Sequence, residues 1–490
     1  MAWLLYFYGL SSVGLALPDE PRYASVAHEM ARSGDWITPR LWGQPWFEKP
    51  PLLYWMTAAG FRLGLGPELA ARLPVAALAV AFLLFYWSVL RREFGERPAA
   101  FAALILGTSV LWVGYSEAAV TDLPMAATYS AGMLLALSWI ARRETRWLPA
   151  IGVLLGLAVL AKGLVPLVLA LPLVWWARRR FSDWLHPRVW APFVAVAVPW
   201  YLLCWLRNGT PFLEDFFVRQ HFSRFASGAL MHTQPPWYYL PVFAAALLPW
   251  LPLAPLAVRR RLYDDPRRRF LLALVVFGLL FFSAALNKLP GYVLPLLPAA
   301  AALLGLALDD AAAGFARCWL AVCAVLLGIF PLAAQVLPEA LASGISRAPR
   351  PTFHWFWLLP LGPAAAAWLL ESRRRRVAAL LCIAAGAAVG TGWVKYADAP
   401  AVDRIASARG LWAQLAARAD QVCVGEIQRG MRYSLGYYAG APLPDCAEAA
   451  KPLRVVQPPG EPPKIVRTAD DTPAPITPVG VRLTRTRPAL

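Results

Sequence analysis

Pro18-Asp19-Glu20-Pro21-Arg22-Tyr23, joined at residues 47–55 by Phe-Glu-Lys-Pro-Pro-Leu-Leu-Tyr-Trp, places carboxylates, cations and aromatics in one polar segment between two greasy runs. The run that follows, residues 69–90, is almost wholly apolar and stops at Arg91-Arg92. About 20 such residues cross the hydrocarbon core of a bilayer. The chain therefore reads as a membrane protein. A transmembrane bundle needs few charges to fold, so ionisable groups gathered at one mouth point to chemistry or binding.

Composition supports this class along the whole chain. Of 490 residues, 59% are hydrophobic and 16% charged, and the mean hydropathy is +0.50. The 23 Trp suit the membrane interface, and the 45 Pro suit helices whose freed carbonyls find partners on neighbouring helices. A net charge of +18 raises the question of nucleic acid. Much of the excess, however, lies in short clusters between apolar runs: Arg91-Arg92, Arg142-Arg143, Arg178 to Arg180, Arg259 to Arg261, Arg267 to Arg269 and Arg373 to Arg376. That is the layout of cytoplasmic loops under the positive-inside rule, and no nucleic-acid partner is expected.

Threading the chain with those clusters inside predicts a polytopic α-helical protein of about thirteen transmembrane helices. Residues 1–17 go out as a retained helix, since they lack the basic start and small-residue cleavage site of a secretion signal. Residues 18–68 form the first outer loop, and 69–90 return. Further spans fall at 99–117, 123–141, 147–161, 163–177, 189–206, 237–258, 270–286, 290–308, 316–334, 355–371 and 377–394. The membrane domain is thus 1–394. Residues 395–456 read as a small outward α/β unit, with helical spacing over 403–418 and strands near Gln421 to Ile427 and Leu453 to Val456. The Pro- and Thr-rich stretch 457–490 reads as a loosely ordered tail. Cys423 and Cys446 both fall in the outward unit, either bridged or as two free thiols.

The same threading brings Asp19, Glu20, Arg22, Glu48, Lys49, Asp122, Lys162, Arg219, His221, Arg224, His232 and Lys288 to outer turns. A transporter or flippase, the alternative of a different class, wants ionisable groups at midspan and internal repeats. A non-catalytic scaffold leaves the first loop without a purpose. Carboxylates beside many cations suit an anionic substrate worked on with a general base, and phosphate is the natural anion. A site opening beside lipid makes that a lipid phosphate. No Walker-type loop or glycine-rich dinucleotide fingerprint follows a strand, so a nucleotide donor is not expected. Glu48 with His221 would suit a divalent metal as a constellation, without any metal-site spacing motif.

Asp-Glu-Pro-Arg-Tyr-Ala at 19–24, Ser33-Gly-Asp-Trp-Ile-Thr-Pro-Arg40 and Phe47-Glu-Lys-Pro-Pro-Leu52 resemble the first periplasmic loop of the aminoarabinose lipid A transferases. Those enzymes belong with the protein mannosyltransferase-like group of GT-C glycosyltransferases. The resemblance continues in Thr121-Asp122, Ala161-Lys162-Gly163 and Asn287-Lys-Leu-Pro-Gly-Tyr-Val-Leu-Pro295, and so covers roughly the first 300 residues. It implies a GT-C bundle in the bacterial inner membrane, with active site and C-terminus on the periplasmic side. The implied activity is inverting transfer of a sugar from a polyprenyl-phosphate carrier to a lipid A-like lipid or another glycan. Transfer to protein hydroxyls is the alternative within the group.

By motif position the resemblance makes Asp19 the essential loop acid, a base or acceptor-orienting group, with Glu20 beside it. Asp122 takes the place of a second functional acid. Lys49 would neutralise the carrier phosphate and the charge that grows there as the glycosidic bond breaks. Arg22, Arg219, Arg224, Lys162, Lys288 and Tyr292 are the further expected substrate-binding residues.

Overall fold

The computed structural model describes residues 1–177, 186–223, 233–344, 348, 350–458, 461–467 and 470–473. Its polar first segment is itself folded. Asp19–Ser33 forms helix α1, stopped by Gly34 in the left-handed conformation that glycine adopts freely. A short hairpin pairs Arg40–Leu41 (β1) with Gln44–Pro45 (β2), and Leu52–Arg62 forms helix α2 directly after Pro50-Pro51. α1 packs on α2, and α2 on the long apolar helix α3, Pro67–Phe94.

Beyond α3 the chain runs through α4 (Glu96–Gly107), α5 (Val110–Ser116), α6 (Asp122–Arg142) and α7 (Leu148–Lys162). α4 and α5 meet at a 63° bend. At the bend Thr108 and Ser109 turn their hydroxyls back to the carbonyls of Leu104 and Ile105, both at 2.6 Å, and the Ser109 N–H shifts to the Leu106 carbonyl at 3.2 Å. Trp250 Nε1 then donates to Thr108 Oγ1 at 2.8 Å and seals the break. A 107° bend between Pro236–Ala246 and Leu251–Val258 lies in a stretch that contains Pro249 and Pro252, which cannot donate to a helix ladder. α6 is the centre of the bundle, and its most apolar window is entirely buried.

Among the described residues six helices are long and apolar enough to cross a membrane, or eight when each bent pair is one span. Every one of the thirteen expected segments carries helix, but several are broken, short or bent. The chain is a polytopic helical membrane protein with a GT-C-type bundle. The first expected span needs correction. Residues 1–17 hold a five-residue π-helix, Trp3–Phe7, followed by turns, instead of one crossing helix. Gly9 sits at φ +80, and Lys395 Nζ takes up the carbonyls of Leu4, Leu5 and Tyr8 at 3.0, 2.9 and 3.1 Å, which ends the helix there.

The arginine clusters gather at one end of the bundle. Glu93, at the end of α3, receives Arg142 at 2.5 Å and Arg267 at 3.3 Å, while Glu144 receives Arg92 at 2.5 Å. The same helices carry the acids and aromatics of the first loop and Asp122 at their other end. An apolar cavity lined by Trp139, Ile151, Leu155, Trp190 and Phe193 lies on the arginine side. It is about 25 Å along α6 from Asp122, counting 1.5 Å per residue, and has no ionisable lining.

After the helix Arg376–Ala406 comes a small sheet of order β3-β4-β5-β6: Val422–Val424, Leu453–Val456, Lys464–Arg467 and Asp470–Pro473. β3 and β4 are parallel, and the other pairs antiparallel. Val422, Val424, Leu435 and Val455 form its core with the helix Arg429–Ala439. β5 and β6 occupy residues expected to belong to a loose tail; exposed alternation such as Lys464-Ile465-Val466-Arg467 is too short to announce a strand without its partner β4. Cys423 and Cys446 are disulfide-bonded, which resolves the open pairing.

Candidate functional site

The Pro18-Asp19-Glu20-Pro21 sequence starts α1 with two acids in its first turn, where the helix dipole favours them. Their side chains then part. Asp19 remains 45% exposed, and its Oδ1 lies 2.5 Å from Arg22 one turn on. Arg22 is 4% exposed and reaches Glu48 at 3.0 Å; Glu48 in turn lies 3.6 Å from Lys49. The order Asp19–Arg22–Glu48–Lys49 is thus a chain of alternating charge that joins α1 to the Phe47-Glu-Lys-Pro-Pro turn. Burial opposes the Arg22 charge, but Glu48, Tyr23 and Asp19 outweigh it and hold the guanidinium above its usual pKa.

Glu20 takes no part in that chain. Its carboxylate accepts from Arg72 Nε at 2.6 Å and Nη2 at 2.7 Å, and from the backbone N–H of Ala119 and Ala16, both at 3.1 Å. The catalytic expectation for Glu20 is therefore not matched by its surroundings: its oxygens are spent on structure. Ala119 lies in the turn that leads to Asp122, so Glu20 sets where the second acid begins.

Asp122, at the start of α6, pairs with Lys162 at the end of α7 at 2.5 Å. Lys162 Nζ also lies 4.8 Å from the ring centroid of Tyr292, which brings Asn287-Lys-Leu-Pro-Gly-Tyr to the same place. Tyr115 lies within coulombic range of both Asp122 and Asp19. Gly291 fits against this point for want of space: a Cβ there would sit 2.6 Å from both Asp122 Oδ1 and the Tyr115 hydroxyl. Gly291→Ala is expected to push Asp122 off Lys162 and to lower turnover by about 10- to 100-fold, the cost of a displacement of about an ångström at a site that positions substrate. The melting temperature should move little. Turnover and thermal unfolding of the purified protein check it; unchanged turnover would show that the Asp122 position is not critical.

The remaining expected residues separate. Lys288 is 4% exposed and donates to the carbonyls of Gln234, at 3.1 Å, and Ala285, so it ties backbone together. Arg219 has an 80% exposed side chain and lies 3.6 Å from Asp215, its neighbour on the helix Glu214–Ser223. Arg224 and His232 lie outside the described residues, as does the side chain of His221. Glu48 is engaged by Arg22 and Lys49. Among the described residues no group of three or more His, Cys, Asp and Glu comes together to hold a metal.

Sequence reasoning missed Arg72 and Tyr115, and noted Gly291 only as part of the Asn287 to Pro295 run. Arg72 had a signal: a lone arginine inside the apolar run 69–90 needs a buried partner, and Glu20 is that partner. Tyr115 carries none, being an ordinary residue that matters through what it touches.

Residues 48–205 match the family model described as dolichyl-phosphate-mannose-protein mannosyltransferase. A relative from Pseudomonas fluorescens, undecaprenyl phosphate-alpha-4-amino-4-deoxy-L-arabinose arabinosyl transferase 2, is 33% identical over 323 residues, 63% of this chain and 54% of the relative. The corresponding Serratia proteamaculans transferase is 34% identical over 358 residues, 70% of this chain and 64% of the relative. The aligned part therefore spans between about half and two thirds of these relatives' length. The crystal structure of ArnT from Cupriavidus metallidurans bound to undecaprenyl phosphate superposes with a TM-score of 0.77 at 27% identity, covering 93% of this chain and 92% of that one. An Archaeoglobus fulgidus oligosaccharyltransferase shares the fold at a TM-score of 0.51 and 12% identity.

Proposed function

We propose, from the likeness in sequence and fold to the aminoarabinose transferases and to the mannosyltransferase family model, that the chain is a membrane glycosyltransferase. It moves a sugar from a polyprenyl-phosphate carrier to an acceptor at the outer face, a lipid A-like lipid or another glycan, with inversion at the anomeric carbon. The observation that carries this reading is a half-exposed acid, Asp19, paired to the buried Arg22, with a second acid–cation pair, Asp122–Lys162, and both acids within coulombic range of Tyr115.

In a single in-line displacement the acceptor oxygen attacks the anomeric carbon as the bond to the carrier phosphate breaks. Asp19 is the acid open to substrate: it orients the acceptor and takes its proton where that acceptor is a hydroxyl. Lys49 faces the departing carrier phosphate and meets the charge that develops on it. Lys162 holds Asp122 in place against Tyr292, and this pair lines the donor sugar. Arg22 keeps Asp19 and Glu48 at fixed separation. The site and the C-terminal unit face the periplasm of an inner-membrane protein: the Cys423–Cys446 disulfide belongs to an oxidising compartment, and the arginine clusters gather at the opposite end.

Lipid mass spectrometry of cells with and without the gene tests the reading. A polyprenyl-phosphate sugar that accumulates in the deletion identifies the donor, and a lost mass increment on lipid A or another glycan identifies the acceptor. If neither pool changes while the protein is expressed, the transferase reading fails.

A further inference from the structure

We propose that Tyr433, on the helix Arg429–Ala439 of the C-terminal unit, is a positioning residue for the site, acting through the Arg22 guanidinium. This rests on the transferase reading and adds to it that the C-terminal unit forms part of the working site.

The argument begins with how Arg22 is held. Both of its carboxylate contacts, 2.5 Å to Asp19 and 3.0 Å to Glu48, are made by one nitrogen, Nη2. Its Nε is buried and has no hydrogen-bond partner. Those two bonds anchor the Nη2 corner of the planar guanidinium, while no hydrogen bond holds it at Nε. A rigid fork is what lets arginine hold two anions in register, so the rest of the group needs another hold.

Aromatic rings supply it. Arg22 Cζ lies 5.2 Å from the Tyr23 ring centroid, 5.8 Å from Trp46 and 5.3 Å from Tyr433. Tyr23 and Trp46 belong to the first loop, whereas Tyr433 arrives from the far end of the chain. A cation among aromatic faces in a partly dry site gains attraction and loses freedom.

Tyr433 is itself braced. Trp42, at the tip of the β1–β2 hairpin, stacks on it at 5.8 Å with 22° between the planes, and Arg429 Cζ lies 5.6 Å from its ring centroid. Gly436, less than a turn further on, allows Trp42 to come this close: a Cβ there would sit 2.7 Å from the indole. The helix is also bolted to the residues just before Asp19. Ser434 Oγ donates to the Leu15 carbonyl at 2.8 Å, and the Tyr438 hydroxyl accepts from Leu15 N–H at 3.0 Å and donates to Glu68 at 2.7 Å.

The test uses the full-length purified protein, with the carrier-linked sugar recovered from the deletion strain as donor. Tyr433→Leu keeps bulk but removes the aromatic face. It is expected to lower kcat by about three- to thirtyfold, the rate equivalent of one desolvated cation–aromatic contact, while donor KM stays within about twofold. Tyr433→Phe and Tyr433→Trp keep the face and should retain near wild-type kcat. In an Arg22→Lys background, Tyr433→Leu should cause no further loss, because the two act as one unit. The inference is overturned if Tyr433→Leu turns over like wild type. It is equally overturned if all three variants lose activity only in proportion to a fall in melting temperature, which marks simple packing. A wild-type chain that transfers nothing overturns the transferase reading, and this inference with it.

Discussion

Asp19→Asn is expected to abolish measurable transfer while leaving the protein folded. Asparagine has almost the same shape and still offers Arg22 an oxygen, so Arg22 keeps its Glu48 contact at 3.0 Å and the loop keeps its form. What is lost is the negative charge and the capacity to take a proton, at the more exposed of the two adjacent acids, 45% against 7% for the Glu20 side chain. Loss of acid–base help alone costs about 10²–10⁴ in rate. Where the acceptor is a phosphate, already an anion, a smaller loss through orientation is expected. Cells carrying only this variant should accumulate the carrier-linked sugar as the deletion does. Turnover above about half of wild type would remove Asp19 from the chemistry, since every mechanism in that 10²–10⁴ range requires more.

The neighbouring acid should behave in the opposite way. Arg72, inside the apolar helix α3, donates to Glu20 and to the carbonyls of Leu10, Val13 and Gly14, at 2.8, 2.6 and 3.0 Å. With Glu20 also accepting from Ala16 and Ala119, this pair joins the first turns, α1, α3 and the approach to Asp122. Removing one partner of a buried pair strands the other charge, at a cost of about 3–5 kcal/mol. Arg72→Met and Glu20→Ala should each lower the melting temperature sharply in detergent and reduce the yield of folded protein. The double replacement Glu20→Ala with Arg72→Met should cost less than the sum, because no charge is then left alone. Activity that falls in Glu20→Gln at an unchanged melting temperature would instead place Glu20 in the chemistry, as its motif position had suggested.

Asp19 and Glu20 show what could be read in advance and what could not. The membrane class, the inner arginine loops and the position of nearly every helical segment follow from hydropathy and charge, because the bilayer acts on each stretch of chain in much the same way wherever it lies. Asp19, Arg22, Lys49, Asp122 and Lys162 stood out as candidates for a related reason: ionisable groups are scarce in such a chain, and their motif spacing marks them out. Which of the two adjacent acids stays exposed was not legible. Adjacent residues on a helix point about 100° apart, and only the arrival of Arg72 from α3 decides that Glu20 is buried and Asp19 open. The same holds for Gly291, which matters because Asp122 and Tyr115 crowd it, and for Tyr433, one tyrosine in an appended unit until the fold sets it beside Arg22. Sequence by itself determined the solvent each segment lives in and the charges available for a site. The tertiary structure alone decided their partners, because ion pairing and aromatic packing act over a few ångströms between segments that the chain separates by tens to hundreds of residues.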